Sequence, residues 1–262
     1  MKAGDAVILE HRGAGLWAHL NRPDTLNAIN YDVLSGLQAA MTRAEDSDDV
    51  AALVITGSGG NFCAGADLSV VEQALGDAGG LGGFLASVGR VLLRLEQLPL
   101  PTIAAVGGHA VAGGLELMLC CDLVVAADDA VIGDAHSTFG LLPGGGGTMR
   151  LPRHVGLARA KELMFTGATV SAGELRESGL LAKVVPRSDL LTAVESLVHA
   201  LSQRSPLALR RLKRLLNDSL QQSPEAALRS ELMASELHSH SSDMREGVSA
   251  FREKRRPKFT GQ

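Results

Sequence analysis

Short apolar runs set apart by glycines and charges constrain this chain most. ALVITG (52–57) and PTIAAVGG (101–108) read as strands buried in a sheet, and DLVVAA (122–127), AVIG (130–133) and AKVV (182–185) as further strands. Alternation over 6–20 predicts a hairpin turning at Arg12–Gly15. Between the runs, Val33, Leu34, Leu37, Ala40 and Met41 recur at helical spacing over 31–43. Helices are also expected near 84–97, 113–121, 148–155 and 157–165, with a short one in SAGELRESG (171–179). Strands alternating with helices make the fold class α/β. Beyond about residue 188 the pattern is wholly helical, so 1–187 reads as an α/β core and 188–262 as a helical C-terminal region.

A chain of 262 residues is long enough for one large core. Its net charge of −4 gives no reason to expect a nucleic-acid partner, and the basic stretch FREKRRPKF is short enough to be a solvated terminal helix and tail. The three cysteines, Cys63, Cys120 and Cys121, are odd in number and form no CxxC. That predicts reduced thiols, no zinc site and a cytoplasmic setting. The segment MKAGDAVILEHRG lacks the apolar core of a signal peptide. No run approaches the ~20 apolar residues of a membrane span, because Glu116, Asp122, Asp128 and Asp129 interrupt the best candidate. Walker A, GxSxG and well-placed GxGxxG motifs are absent, and Pro143 ahead of Gly144–Gly147 rules out a dinucleotide fingerprint there.

Two loops share a plan. FCAGAD follows the strand at 52–57, and GGHAVAGGLE follows the strand at 102–106; each leads into a helix. A helix opening after glycines exposes backbone N–H groups, and two such ends brought together form an oxyanion hole. From these residues alone, tight turns explain the glycines equally well.

The segments NRPDTLNAIN, ALVITGSGGNFCAGADL, PTIAAVGGHAVAGGLELMLCCDLVVAADDAVIG, GLLPGGGGTMRLPRHVG, LMFTGATVSAGELRESGLLAKVVP, SPLALRRLKRLL and FREKRRPKF run across nearly the whole chain. Together, and in this order, they resemble the crotonase superfamily, the enoyl-CoA hydratase/isomerase family. The resemblance implies a spiral of ββα repeats, a helical C-terminal region that assembles a homotrimer or a dimer of trimers, and an acyl-CoA thioester substrate. It implies no separate cofactor, since coenzyme A enters as part of the substrate, and no metal. The thioester oxygen would rest on the N–H groups of Ala66 and Gly113, beside Ala64, Gly65, Asp67 and Leu68 in the binding loop. Where the family usually carries three glycines, the first is Ala112 here. The glycine-rich stretch 74–83 would shape the acyl pocket. Glu116 matches the first acid/base glutamate. Where the hydratases carry a second glutamate, this chain has His136. An imidazole both donates and accepts protons near neutral pH, so His136 either completes the proton transfers or lines the acyl site. Asp134 would orient His136 or act itself. His109 lies four residues before Gly113, as a packing or hydrogen-bonding residue or an auxiliary group. Cys63 shows neither an adjacent base nor a lowering charge, so a thiol nucleophile is not expected. Arg22 is expected to meet CoA phosphate or to be a surface charge, and Lys258 and Phe259 match positions near the CoA adenine. The expected activity is 2-enoyl-CoA hydration. The alternatives are double-bond isomerisation, thioester hydrolysis or decarboxylation, and acyl-CoA binding with little turnover.

Overall fold

The computed structural model describes residues 5–77 and 79–262. Residues 1–4, at the head of the segment read for a signal peptide, and Ala78, inside the stretch 74–83, lie outside the described residues.

The expected hairpin forms from β1 (Val7–Arg12) and β2 (Gly15–Leu20), paired antiparallel. Its alternation is lost on β2, where Leu16, Trp17 and Ala18 are all buried, because β2 also pairs in parallel with the next strand and is covered on both faces. Helix α1 (Tyr31–Glu45) starts under an Asn30 cap, whose side chain accepts from Val33 N–H. Strand β3 (Ala52–Gly57) follows, then α2 (Leu68–Gly76) and α3 (Gly80–Glu96). The sequence predicts α3 only from about 84. It begins at Gly80 despite the glycines, because Phe84, Val88, Val91, Leu92 and Leu95 form one buried face that outweighs their low propensity.

Next come β4 (Thr102–Val106), β5 (His109–Val111), α4 (Gly113–Leu119), β6 (Leu123–Ala127) and β7 (Val131–Gly133). The chain continues through α5 (Gly147–Val155), α6 (Leu157–Thr166), β8 (Thr169–Ser171), α7 (Ala172–Leu175) and β9 (Lys183–Val185). Helices α8 (Leu190–Ser202), α9 (Pro206–Ser219), α10 (Pro224–Ser239) and α11 (Ser242–Glu253) complete it.

The main sheet has the order β1-β2-β3-β4-β6-β9, parallel from β2 onward. A second sheet, β5-β7-β8, stands beside it. The strands β5 and β8 have three residues each, too few for a periodic signal. Helix α8 buries Leu190, Val194 and Val198 in the core, whereas α9 and α10 bury no residue fully. Polar ties hold α9 instead: Lys213 meets Asp122 at 2.7 Å, and Asn217 donates to the Glu96 carbonyl at 3.0 Å. Buried Asp243 accepts from Ser205 and from the N–H groups of Thr260 and Gly261, binding α9 and the tail to α11. Among the described residues no helix is long and apolar enough to cross a membrane.

Candidate active site

The two glycine loops meet. Cys63 N–H donates to the His109 carbonyl at 2.8 Å and Val111 N–H to the Cys63 carbonyl at 3.1 Å, so the FCAGAD loop runs as an extra strand beside β5. On its other side, Ile29 N–H donates to the Gly65 carbonyl at 2.7 Å and Asp67 N–H to the Ile29 carbonyl at 2.9 Å. That pattern passes over Ala66 N–H. Neither Ala66 N–H nor Gly113 N–H has a partner among the described residues. The two are neighbours: a Cβ on Gly113 would lie 3.4 Å from Ala66 N, and one on Gly65 would lie 3.3 Å from Gly113 N. Gly114 is packed hard against the FCAGAD loop, since a Cβ there would stand 2.0 Å from the Cys63 carbonyl oxygen. Ala112 holds a glycine-like backbone, φ 51 and ψ −121, which strains an alanine by about 1–3 kcal/mol.

Glu116 lies in the first turn of α4 and is 2% exposed. Its Oε1 accepts two hydrogen bonds, from Gly145 N–H and Gly147 N–H, both at 2.8 Å. Its Oε2 has no hydrogen-bond partner among the described residues. Burial raises the carboxyl above its ordinary range; the two amides and the His136 charge offset this in part, and Asp134 adds to it. The glycine turn 144–147 can approach only because it lacks side chains: a Cβ on Gly145 would stand 2.8 Å from Glu116 Oε2.

His136 follows β7 across a left-handed Ala135, φ 55. Its Nδ1 lies 3.0 Å from Oδ2 of Asp134, which is 1% exposed. The angle is poor for a hydrogen bond, and each atom is otherwise without a partner, so the contact is an ion pair by distance and charge. Burial pulls the imidazole down, but the Asp134 carboxylate and the Glu116 charge outweigh it and leave His136 raised above its usual value. Glu116, Asp134 and His136 therefore form one electrostatic unit.

A sequence model described as enoyl-CoA hydratase/isomerase matches residues 15–262, almost the whole chain. The chain belongs to that family, and so to the crotonase superfamily. A probable enoyl-CoA hydratase of Mycobacterium tuberculosis is 40% identical over 242 residues, covering 92% of each chain. The crotonyl-CoA hydratase of Syntrophomonas wolfei is 37% identical over 98% of each. The enoyl-CoA hydratase structure from Bacillus anthracis superposes with a TM-score of 0.93 at 34% identity, over 98% of this chain and 100% of that one. The expected crotonase-type α/β fold is therefore the fold observed.

Elsewhere the hydratase/isomerase loops use some expected binding residues to hold themselves together. Arg22 donates to the Ala28 carbonyl at 2.7 Å and pairs with Asp67 Oδ2 at 2.7 Å, so its guanidinium already bridges two loops. Asp67 caps α2 by accepting from Ser69 N–H, and the Ser69 hydroxyl and Arg22 hold its carboxyl below the usual range. Ala64 donates to the Leu26 carbonyl at 3.0 Å, and Leu68 is largely exposed. His109 Nδ1 meets Asn61 Oδ1 at 2.8 Å. Burial pushes the Cys63 thiol up to about 12, which leaves no nucleophile there. Lys258 and Phe259 lie in the tail, on the wall of a 700 Å³ cavity shared with Pro99–Pro101 and the start of α9; Glu116 lines no part of it. Asn27 escaped the sequence reading. Fully buried, it fastens the loops by donating to the Ser58 and Asn61 carbonyls and accepting from Arg22 N–H. The Gly145 and Gly147 amides also escaped it, although the run Gly144–Gly147 was a visible sign of close approach.

Proposed function

We propose that this protein hydrates 2-enoyl-CoA thioesters. The thioester oxygen sits between Ala66 N–H and Gly113 N–H, which stabilise the negative charge that develops there as water adds. Each such donor is worth about 3–4 kcal/mol of barrier. Glu116 takes a proton from water through Oε2 as the water oxygen bonds to the β-carbon. The α-carbon of the enolate then gains a proton from His136, whose charged form Asp134 favours, and exchange with solvent deprotonates Glu116 and reprotonates His136 before the next turnover. Two amides, a carboxylate and an imidazole complete the reaction, and coenzyme A enters with the substrate. The observation that carries this reading is the pair of unpartnered amides beside a buried carboxylate with one oxygen free.

A second reading follows from His136 in place of a carboxylate: a 2,3-/3,4-enoyl isomerase, which needs only Glu116 to carry a proton between carbons. Loss of the conjugated-thioester absorbance of crotonyl-CoA tests the first reading. Hydration is expected, and Glu116→Gln should slow it ~10²–10⁴-fold with the fold intact. No loss from the parent enzyme, with turnover of a 3-enoyl-CoA instead, would select the isomerase.

We further propose that helices α9–α11 assemble the protein as a trimer or a dimer of trimers, since Leu216, Leu220, Leu232 and Leu237 are each more than half exposed. The division near residue 188 would then separate the α/β core from the assembly region, and Lys258 and Phe259 would reach acyl-CoA only through such an assembly. A cytoplasmic location agrees with the three free, buried thiols.

A further inference from the structure

A glycine turn holds Glu116, and a part-buried ion pair holds the turn. Arg150, on α5, is 3% exposed. Its Nε and Nη2 donate to the two carboxylate oxygens of Glu96 at 3.1 and 2.7 Å, and its Nη1 donates to the Gly145 carbonyl at 2.8 Å. Gly145 is the residue whose own N–H meets Glu116 Oε1. Gly147, the second donor, is the first residue of the helix that carries Arg150. Gly146, between them, has φ +98, and a Cβ there would lie 2.2 Å from Arg150 Nη1. Glu96 ends α3, and its backbone carbonyl is fixed by Asn217.

Burying the Arg150 guanidinium against a part-buried carboxylate costs desolvation that an apolar pair joining α3 to α5 would avoid. What the charged fork adds is a directed donor to one carbonyl of the turn. We propose that Arg150, oriented by Glu96, is a positioning residue for Glu116. It fixes the 145–147 turn so that both amides meet Oε1, and Oε2 is left to carry the proton. The proposal rests on the reading of Glu116 as the proton-transfer group. The charged and titratable groups around Glu116 are Cys120 on its own helix, Asp134 and His136 after β7, Arg150 on α5, and Glu96 behind Arg150.

The test is a ¹³C NMR titration of the Glu116 carboxyl, assigned with Glu116→Gln, in the parent, Arg150→Met, Arg150→Lys and Glu96→Gln. The pH profile of crotonyl-CoA turnover is measured alongside. Arg150→Met should move the carboxyl titration and the acid limb together to higher pH. Activity on that limb then falls about tenfold per unit moved, with KM little changed. Arg150→Lys should lie between parent and Met, and Glu96→Gln should move the same way. A uniform loss of activity or stability with the Glu116 titration unmoved would overturn the proposal. Should Arg150→Met fail to fold, the same criterion applies to Arg150→Lys and Glu96→Gln. The carboxyl titration needs no turnover, so it decides the positioning role even if crotonyl-CoA is not hydrated.

Discussion

Burial and charge set Glu116 and His136 against their solution behaviour, and the direction of each shift has a consequence. Both carry raised values in the fold. A folded-state value above the unfolded one means that the native state holds the extra proton. Stability from Glu116 is therefore full below its ordinary 4.5 and is lost as pH rises through the folded value; that from His136 is full below 6.5 and is lost as pH rises through its own raised value. Asp134→Asn removes the carboxylate that holds His136 up and leaves burial to pull it down. The alkaline limb of hydration should then move to lower pH in a kcat/KM profile. An unmoved limb would reduce His136 to a wall of the acyl site. At this scale the sequence was informative where a side chain does the work. Glu116 and His136 were singled out by the resemblance to the family, which marks the positions of its two acid/base glutamates. The amides of Gly145 and Gly147 were not: the glycine run signals a close approach but not which group it approaches. Nor was the Arg150–Glu96 pair, whose members stand 54 positions apart.

Among the elements, the contact between the first turn of α4 and the FCAGAD loop is the tightest in the site. Gly114→Ala would drive a methyl into the Cys63 carbonyl. Backbone cannot swing aside as a side chain can, so the cost should exceed about 3 kcal/mol. A urea titration should show it as a lower midpoint, and an unchanged midpoint would mean that the loops part freely. The long apolar strands of the main sheet were legible because burial on both faces writes a continuous run. The β5-β7-β8 sheet was only partly so. AVIG gave β7, while β5 and β8 are three-residue edges fixed by pairing partners distant in the chain. Helix α2 was expected after FCAGAD, but its extent was not, and it starts directly from its Asp67 cap. The glycine-rich stretch hid the start of α3, because propensity there argues against the helix that packing imposes.

For the whole molecule, the outward leucines of α9 and α10, with Phe251 on α11, are the unanswered surface. Light scattering should give a mass three or six times 27.3 kDa, and Leu216→Glu with Leu232→Glu should lower it. A monomeric parent would dismiss the assembly proposed here. The catalytic proposal itself turns on where a substrate oxygen comes to rest. A crystal structure of the protein with a non-reactive acyl-CoA thioester analogue should place the carbonyl oxygen about 2.7–3.1 Å from both Ala66 N and Gly113 N, with Glu116 Oε2 facing the α- and β-carbons. An oxygen that meets neither amide, or a carboxylate turned away from those carbons, would contradict it.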